Sequence, residues 1–229
     1  NDIVTGIIQR MENKNVYIDL GKAEAILTPN EQIPGEIYQY HDRMKTYIVE
    51  VKKTSKGPQI MVSRTHPGLL KRLFELEVPE IHDGLVEIKS VAREPGMRSK
   101  ISVYTKDENI DPVGACVGHK GMRVQTIVNE LRGEKIDIVK YSSEPDQYVA
   151  NALSPAKVVS TEVLEEEKIC RVIVPDYQLS LAIGKEGQNA RLAAKLTGWK
   201  IDIKSESQAA EEAEQGAQEV GVAYEADED

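Results

Sequence analysis

The sequence repeats one short segment, and this repeat decides the fold. Residues 115–123 read ACVGHKGMR, and residues 181–189, which lie 66 positions later, read LAIGKEGQN. Farther along, residues 133–138 read GEKIDI, and residues 198–203 read GWKIDI after an offset of 65. Because the offset is nearly constant over both stretches, the sequence predicts two copies of one small α+β unit.

The residues around each segment show matching helical and strand patterns. In the first copy, apolar spacing predicts a helix after Pro67, strands over 85–91 and 100–105, a helix over 122–132 and a strand over 135–139. In the second copy, the predicted elements are a helix over 148–156, strands over 157–163 and 170–174, a helix over 188–196 and a strand over 200–203. Counting the short segment before each glycine pair, both copies have the order helix–strand–strand–helix–helix–strand.

The residues before Pro67 form a different pattern, with short apolar stretches separated by polar turns. The strand candidates are 3–8, 16–20, 24–27, 45–52 and 59–62. Five short strands with turn signals between them predict a small all-β barrel or sandwich. A single Phe and a single Trp also favour several small aliphatic cores over one large core.

Each copy carries a Gly-x-x-Gly loop between two helical segments, at Gly118–Gly121 and at Gly184–Gly187. Glycine lets a sugar-phosphate backbone approach the main chain closely, and the amides of the following helix point towards phosphate oxygens. Basic residues in or beside the loops supply the opposite charge: His119, Lys120, Arg123, Lys185, Arg191 and Lys195. In KH modules such a loop clamps about four single-stranded nucleotides.

Other functional classes find no support in the sequence. It has neither a P-loop nor a dinucleotide-binding glycine motif, and its four histidines are scattered without cysteine companions. No nucleophile elbow occurs, and the carboxylate pairs lie in polar, turn-like stretches. The two cysteines, Cys116 and Cys170, are expected to be reduced and buried. We therefore predict no enzyme activity, no cofactor and no metal site.

The net charge of −9 comes entirely from the C-terminal end. Nine of the 38 acidic residues and none of the 29 basic residues lie in 206–229, so residues 1–205 carry 29 of each. The Ala/Glu/Gln-rich composition of this end predicts a disordered or marginally helical tail. No apolar run approaches the ~20 residues that a membrane helix needs, so we expect no membrane contact.

Four stretches of the sequence resemble a known family. They read PEIHDG over 79–84, AREPG over 92–96, DPVGACVG over 111–118 and GEKIDI over 133–138. In this order they resemble the NusA family of bacterial transcription elongation, termination and antitermination factors. The resemblance implies a multidomain protein in which an all-β OB-fold barrel of the ribosomal S-one type precedes two α+β KH domains of type II. The domains are expected at 1–66, 67–141 and 142–205, followed by the acidic tail at 206–229.

The resemblance also implies the partners and the location. It implies a cytoplasmic protein that binds single-stranded nascent RNA and modulates polymerase pausing, termination and antitermination, alongside other termination and antitermination factors. RNA polymerase is expected to bind mainly through an N-terminal domain. Because the sequence begins at Asn1, we expect that domain to lie outside it. The balanced charge of 1–205 leaves one alternative, a protein–protein scaffold on polymerase or ribosomal components with incidental RNA binding.

Site residues follow from the same resemblance. It implies RNA contacts by both loops, by two arginines on the helices that follow them, and by a stacking tyrosine on the barrel. The predicted RNA-binding residues are Gly118, His119, Lys120, Gly121, Arg123, Gly184, Lys185, Glu186, Gly187, Arg191 and Tyr17. Val117 and Ile183, just before the loops, are expected to form the floor of a groove for bases. Glu186 opposes phosphate, so Lys185 and main-chain donors must outweigh its repulsion.

Overall fold

The computed structural model describes residues 2–225, with side chains described for residues 2–216. The chain separates into two compact units, Asn1–Lys140 and Tyr141–Asp229. The domain limits predicted after residues 66, 141 and 205 stay predictions. Across residues 2–225, none of the helices combines the length and the apolar character that a membrane crossing demands.

A closed five-stranded barrel opens the first unit. Its strands are β1 (Ile3–Glu12), β2 (Asn15–Asp19), β3 (Glu24–Leu27), β4 (Arg43–Thr54) and β5 (Gly57–Ser63). They pair in the order β1-β2-β3-β5-β4, and β1 also pairs with β4. Alternation places Val16 and Ile18 inside the barrel and Tyr17 between them on the outer face. The structure therefore resolves the barrel-or-sandwich alternative in favour of the barrel.

An α+β domain follows the barrel. Its elements are α1 (Pro67–Glu77), α2 (Pro79–His82), β6 (Glu87–Glu94), β7 (Arg98–Tyr104), α3 (Pro112–Val117), α4 (Met122–Glu130) and β8 (Lys135–Lys140). The sheet order is β6-β7-β8, with β6 antiparallel and β8 parallel to β7. Leu69, Leu70, Leu73 and Phe74 on α1 are buried against the sheet and α4. The elements follow the predicted order, with the short helix α2 added between α1 and β6.

Arg64, which links the barrel to α1, is a fully buried cation. Its Nε and Nη2 atoms donate to Glu36 Oε1 at 3.1 and 2.9 Å. Its Nη1 donates to the Lys45 carbonyl at 2.8 Å and to Glu130 Oε1 at 3.2 Å. Its Nη2 also donates to the Glu130 carbonyl at 3.0 Å. Because Glu130 ends α4 while Glu36 and Lys45 belong to the barrel, Arg64 joins the two domains.

The second unit repeats the α+β arrangement. Its elements are α5 (Pro145–Ala152), β9 (Ser160–Leu164), β10 (Ile169–Val174), α6 (Leu179–Ile183), α7 (Gln188–Thr197) and β11 (Lys200–Ser205). In this sheet, β9 is antiparallel and β11 parallel to the central β10. Helix α5 begins earlier than predicted because Pro145 starts its first turn. Strand β9 begins later, since the Lys157 amide donates to Gln178 Oε1 at 2.6 Å.

The structure describes a helix in the acidic tail, whose composition predicts a disordered or marginally helical segment. Helix α8 covers Glu206–Glu225, and residues 226–229 of the predicted tail lie outside the described residues. A capping box starts the helix: the Gln208 amide donates to Ser205 Oγ at 3.2 Å, and Gln208 Oε1 accepts from the Ser205 amide at 3.0 Å. Asp176 accepts hydrogen bonds from the amide and the hydroxyl of Ser207. The local capping box and the tertiary contacts of Asp176, which lies 31 positions before Ser207, together stabilise the start of the helix.

We expect Arg64→Ala to destabilise the first unit by about 3–5 kcal/mol, because it leaves Glu36 buried without its cation. Chemical denaturation monitored by circular dichroism measures this change. Arg72→Ala is the control, since Arg72 pairs with Glu75 at the surface, with exposed fractions of 40% and 28%. A surface pair contributes up to about 1 kcal/mol. Equal losses in the two variants would contradict the role given to Arg64.

The stability of the first turn of α8 should depend on pH, because Asp176 accepts hydrogen bonds from Ser207 in that turn. The hydrogen bonds from Ser207 lower the pKa of Asp176. The ionised carboxylate of Asp176 therefore stabilises the first turn of α8 fully above the ordinary pKa of an aspartate. This stabilisation is lost as the pH falls through the lowered pKa of Asp176. An NMR titration of the Ser207 amide should show this loss in acid. Asp176→Asn should abolish the titration, and an identical curve in that variant would contradict the assignment.

Candidate nucleic-acid interface

The first Gly-x-x-Gly loop is a tight left-handed turn between α3 and α4. Gly118 ends α3 with φ 78° and ψ 173°, and its amide donates to the Gly114 carbonyl at 2.9 Å. Lys120 has φ 51° and ψ 30°, and Gly121 has φ 73° and ψ 15°. The Gly121 amide donates to the Gly118 carbonyl at 3.1 Å, which closes the turn.

The second loop has nearly the same backbone. Gly184 ends α6 with φ 80° and ψ 170°, Glu186 has φ 55° and ψ 25°, and Gly187 has φ 75° and ψ 12°. The amide of Gly187 donates to the carbonyl of Gly184 at 3.1 Å. Each dihedral angle agrees with its counterpart in the first loop to within a few degrees. The sequence repeat is therefore a repeat of loop geometry.

The two glycines of each loop are constrained differently. A Cβ on Gly118 would lie 2.6 Å from Arg123 Cγ, and a Cβ on Gly184 would lie 2.7 Å from the Asn189 nitrogen. A Cβ on Gly121 would meet no described atom within 4 Å, and one on Gly187 only Arg191 Nη1 at 4.0 Å. The first glycine thus packs against the following helix, whereas the second borders open space that a ligand can enter.

The loop side chains and the helix starts together form an anion-binding surface. His119, Lys120, Lys185 and Glu186 are exposed at the tips of the two loops. Within the described part of the chain, no side chain caps the amides at the starts of α4 and α7. Uncapped amides and the positive end of the helix dipole favour a negatively charged oxygen such as that of a phosphate. Of the loop residues, Glu186 alone opposes this charge.

The two predicted arginines do not occupy equivalent places. Arg123 Nη1 donates to Glu80 Oε2 at 2.9 Å and to the Ala115 carbonyl at 2.7 Å, so its guanidinium is engaged within the fold. Arg191 is exposed, and its Nη1 donates to the Glu186 carbonyl at 3.0 Å beside the second loop. The residue equivalent to Arg123 is Asn189, which the 66-residue offset already indicates.

Apolar side chains border the second loop. Ile183, predicted as a groove residue, is 38% exposed, and Leu181 is 44% exposed. Tyr177, one turn earlier, is 82% exposed and offers a stacking surface for a base. Val117, the counterpart of Ile183, is half-buried. Sequence reasoning missed Leu181 and Tyr177, because an exposed apolar residue looks like a core residue until the packing is known.

On the barrel, the predicted stacking residue Tyr17 lies beneath an arginine. The Arg10 guanidinium lies 4.1 Å from the centre of the Tyr17 ring. Its Nη1 donates to Glu24 Oε2 at 2.8 Å, and its Nη2 donates to Glu24 Oε1 at 3.2 Å. Lys22 and Lys56 line the same surface cavity, which has a volume of about 470 Å³. An arginine plane over an aromatic ring is itself a surface on which a base can stack.

Among the described residues, the cysteine thiols are buried and no cluster of side chains could bind a metal ion. Burial raises the pKa of the Cys116 thiol to about 12 and also raises the pKa of Cys170. Both thiols therefore stay protonated at neutral pH, as expected for the buried cysteines that the sequence predicts. Among the described residues, no group of three or more His, Cys, Asp or Glu side chains could hold a metal ion.

Family descriptions match three consecutive parts of the chain. Residues 1–63 match the S1 RNA binding domain, residues 64–141 the NusA-like first KH domain and residues 145–211 the NusA-like second KH domain. Fold, loop geometry and these matches define the class: an S1 barrel followed by two KH domains, a combination of RNA-binding modules. The predicted fold class is confirmed for these three domains.

Curated relatives identify the family more closely. Proteins named transcription termination/antitermination protein NusA from Halalkalibacterium halodurans and Bacillus subtilis are each 72% identical over 210 residues, or 92% of this chain. The Mycobacterium tuberculosis protein of that name is 51% identical over 215 residues, or 90% of the chain. The chain belongs to the NusA family. It spans 55%, 57% and 62% of these relatives, respectively, a little over half their length.

Two substitutions in the first loop should differ in their cost to stability, because the two glycines are packed differently. Gly118→Ala forces a Cβ both into a backbone region open mainly to glycine and into Arg123, so we expect a loss of about 3 kcal/mol. Gly121→Ala places a Cβ in open space and should cost only the left-handed backbone penalty of about 1 kcal/mol. Urea unfolding of the two variants measures the difference. A larger loss for Gly121→Ala would contradict the packing described for Gly118.

Proposed function

We propose that this chain binds single-stranded nascent RNA and, by holding it, modulates pausing, termination and antitermination by bacterial RNA polymerase. The names of its relatives and the RNA-binding domain types that match it support this proposal. The chain acts by binding rather than by catalysis. Its place of action is the cytoplasm, where bacterial transcripts are made.

The observation that carries the proposal is the pair of matching left-handed loops, each ending at an uncapped helix start. Phosphates of the RNA lie against the second glycine of each loop, because the space beside it is open. The residues proposed for RNA contact in the loops are Gly118, His119, Lys120, Gly121, Gly184, Lys185, Glu186 and Gly187. Arg191 extends the basic surface of the second loop.

The barrel contributes a separate RNA contact. A base stacks on the layer formed by Arg10 and Tyr17, with Lys22 and Lys56 facing the adjacent phosphates. Ion pairing with Glu24 holds the guanidinium over the ring and so prepares the surface for stacking.

RNA polymerase and other termination and antitermination factors are the proposed protein partners. RNA polymerase binds mainly through the N-terminal domain of the longer family proteins, which this chain does not span. A scaffold that binds such proteins without RNA is the competing function, and the balanced charge of residues 1–205 favours it. The two functions differ in whether the loops bind RNA.

We expect Lys120→Asp and Lys185→Asp each to weaken RNA binding about tenfold, because each replaces a cation facing phosphate with an anion. Fluorescence anisotropy with a single-stranded RNA of about 12 nucleotides measures the affinity. Over a salt series, the slope of log K against log salt should fall by about 0.7 for each phosphate that the variant no longer neutralises. Glu186→Lys should strengthen binding, since it removes the one opposing charge of the loops.

The control is Lys71→Asp, which makes the same charge change on the exposed side of α1. It should leave the affinity within about twofold, because Lys71 belongs to neither loop and an exposed charge is screened by salt. Equal losses in the loop variants and the control would contradict a loop-specific site. Binding that is indifferent to both loop variants would place the RNA site on the barrel, and no binding at all would favour the scaffold.

A further inference from the structure

We infer that Arg123 and Asn189 are equivalent positioning residues, which set the geometry of the two loops without contacting RNA themselves. The inference rests on the proposed function, since it concerns how the same loops are held in their RNA-binding form. It changes the role predicted for Arg123, from a phosphate contact to a structural support of the clamp. It also assigns a role to Asn189, which the resemblance did not select.

Both side chains occupy the same place relative to their loops. Each residue lies five positions after the first glycine of its loop, in the first turn of the following helix. Arg123 Cγ packs where a Cβ of Gly118 would lie, and the Asn189 backbone and Cβ pack where a Cβ of Gly184 would lie. In both copies this contact fixes the distance between the loop and the second helix.

Both side chains also bond to the helix before the loop. Arg123 Nη1 donates to the Ala115 carbonyl at 2.7 Å, and Asn189 Nδ2 donates to the Ala182 carbonyl at 2.9 Å. These carbonyls belong to the last turn of α3 and α6, where helix geometry leaves carbonyls without a partner. The side chains therefore satisfy carbonyls at the end of one helix, while among the described residues no side chain caps the start of the next helix.

Each side chain also reaches one more element. Arg123 Nη1 donates to Glu80 Oε2 on α2 at 2.9 Å, and Asn189 Nδ2 donates to the Leu153 carbonyl after α5 at 3.0 Å. Each residue thus ties together the helix before the loop, the helix after it and one helical segment that precedes the sheet, α2 in the first domain and the end of α5 in the second. Three attachments hold the left-handed turn in one conformation.

Asn189 carries no charge, so it shows what the position can do by hydrogen bonding alone. Its side chain is fully buried, and among the described residues its Oδ1 has no hydrogen-bond partner. Burying an unpaired acceptor costs free energy, so the two bonds from Nδ2 must offset that cost. Because a neutral amide does in the second copy what Arg123 does in the first, the function common to both positions is hydrogen-bond donation and not charge.

The test compares Arg123→Gln with Arg123→Ala in the full chain, using the same 12-nucleotide RNA and salt series. We expect Arg123→Ala to weaken binding about tenfold, because the Ala115 carbonyl and Glu80 lose their donor. Arg123→Gln keeps an amide donor without the charge and should restore the affinity to within about threefold of the original. The salt slope should be unchanged in both variants, since neither removes a group that binds phosphate.

Hydrogen exchange supplies a second readout that does not involve RNA. Arg123→Ala should speed the exchange of the amides of residues 118–124, and Arg123→Gln should return it towards the original rate. In the second copy, Asn189→Ala should weaken RNA binding about tenfold and speed the exchange of residues 184–190. If Asn189→Ala does not fold, the partly exposed Arg123 still decides the question.

Three results would overturn the inference. Arg123→Gln could bind as weakly as Arg123→Ala with a salt slope lowered by about 0.7, which would make Arg123 a direct phosphate contact. Arg123→Ala could bind RNA as the original chain does, or weaken binding without faster exchange in the loop. Lys120→Asp, measured alongside, separates this failure from failure of the proposed function: if Lys120→Asp also leaves binding intact, the first loop is not an RNA site.

Discussion

Parallel pairing of the central and last strands is the constraint on which both α+β domains depend. Ile101 on β7 faces Ile138 on β8, and Val172 on β10 faces Ile203 on β11, each in a parallel register. A hairpin cannot join parallel strands, so the chain must cross over through helices. Both domains divide this crossover into two helices at the Gly-x-x-Gly turn. The loop therefore lies at the junction of two helices, where one helix start is open to an anion.

The barrel and the first KH domain are held together by a cation that uses all of its donors. Burying Arg64 beside Glu36 and Glu130 carries a large desolvation cost, which the five hydrogen bonds donated by its guanidinium oppose. Arg132 adds contacts to Asp42 and to the Ile37 carbonyl at the same junction. Since these bonds are directional, they fix how the barrel meets α4. The first loop and the stacking surface at Tyr17 consequently belong to one compact unit.

Much of the candidate site could be read from local sequence, and the structure shows why. The glycines at both ends of each loop have positive φ, a backbone conformation that favours glycine, so their spacing reported the turn directly. The strand and helix order followed from apolar spacing. The exposed apolar residues Leu181 and Tyr177 were not identified, because apolar spacing reports burial in general and not which side chain the packing leaves uncovered.

By itself, the sequence determined the order of elements, the two loops and the charge of their tips, since each depends on residues close together in the chain. Tertiary structure alone decided the partners of the long polar side chains. Arg123 meets Glu80, 43 positions earlier, and Arg64 meets Glu130, 66 positions later. It also decided that Asp176 holds the first turn of the acidic, alanine-rich helix, through hydrogen bonds from Ser207, 31 positions later. Contacts between distant residues depend on how the elements pack, and local patterns carry no record of that packing.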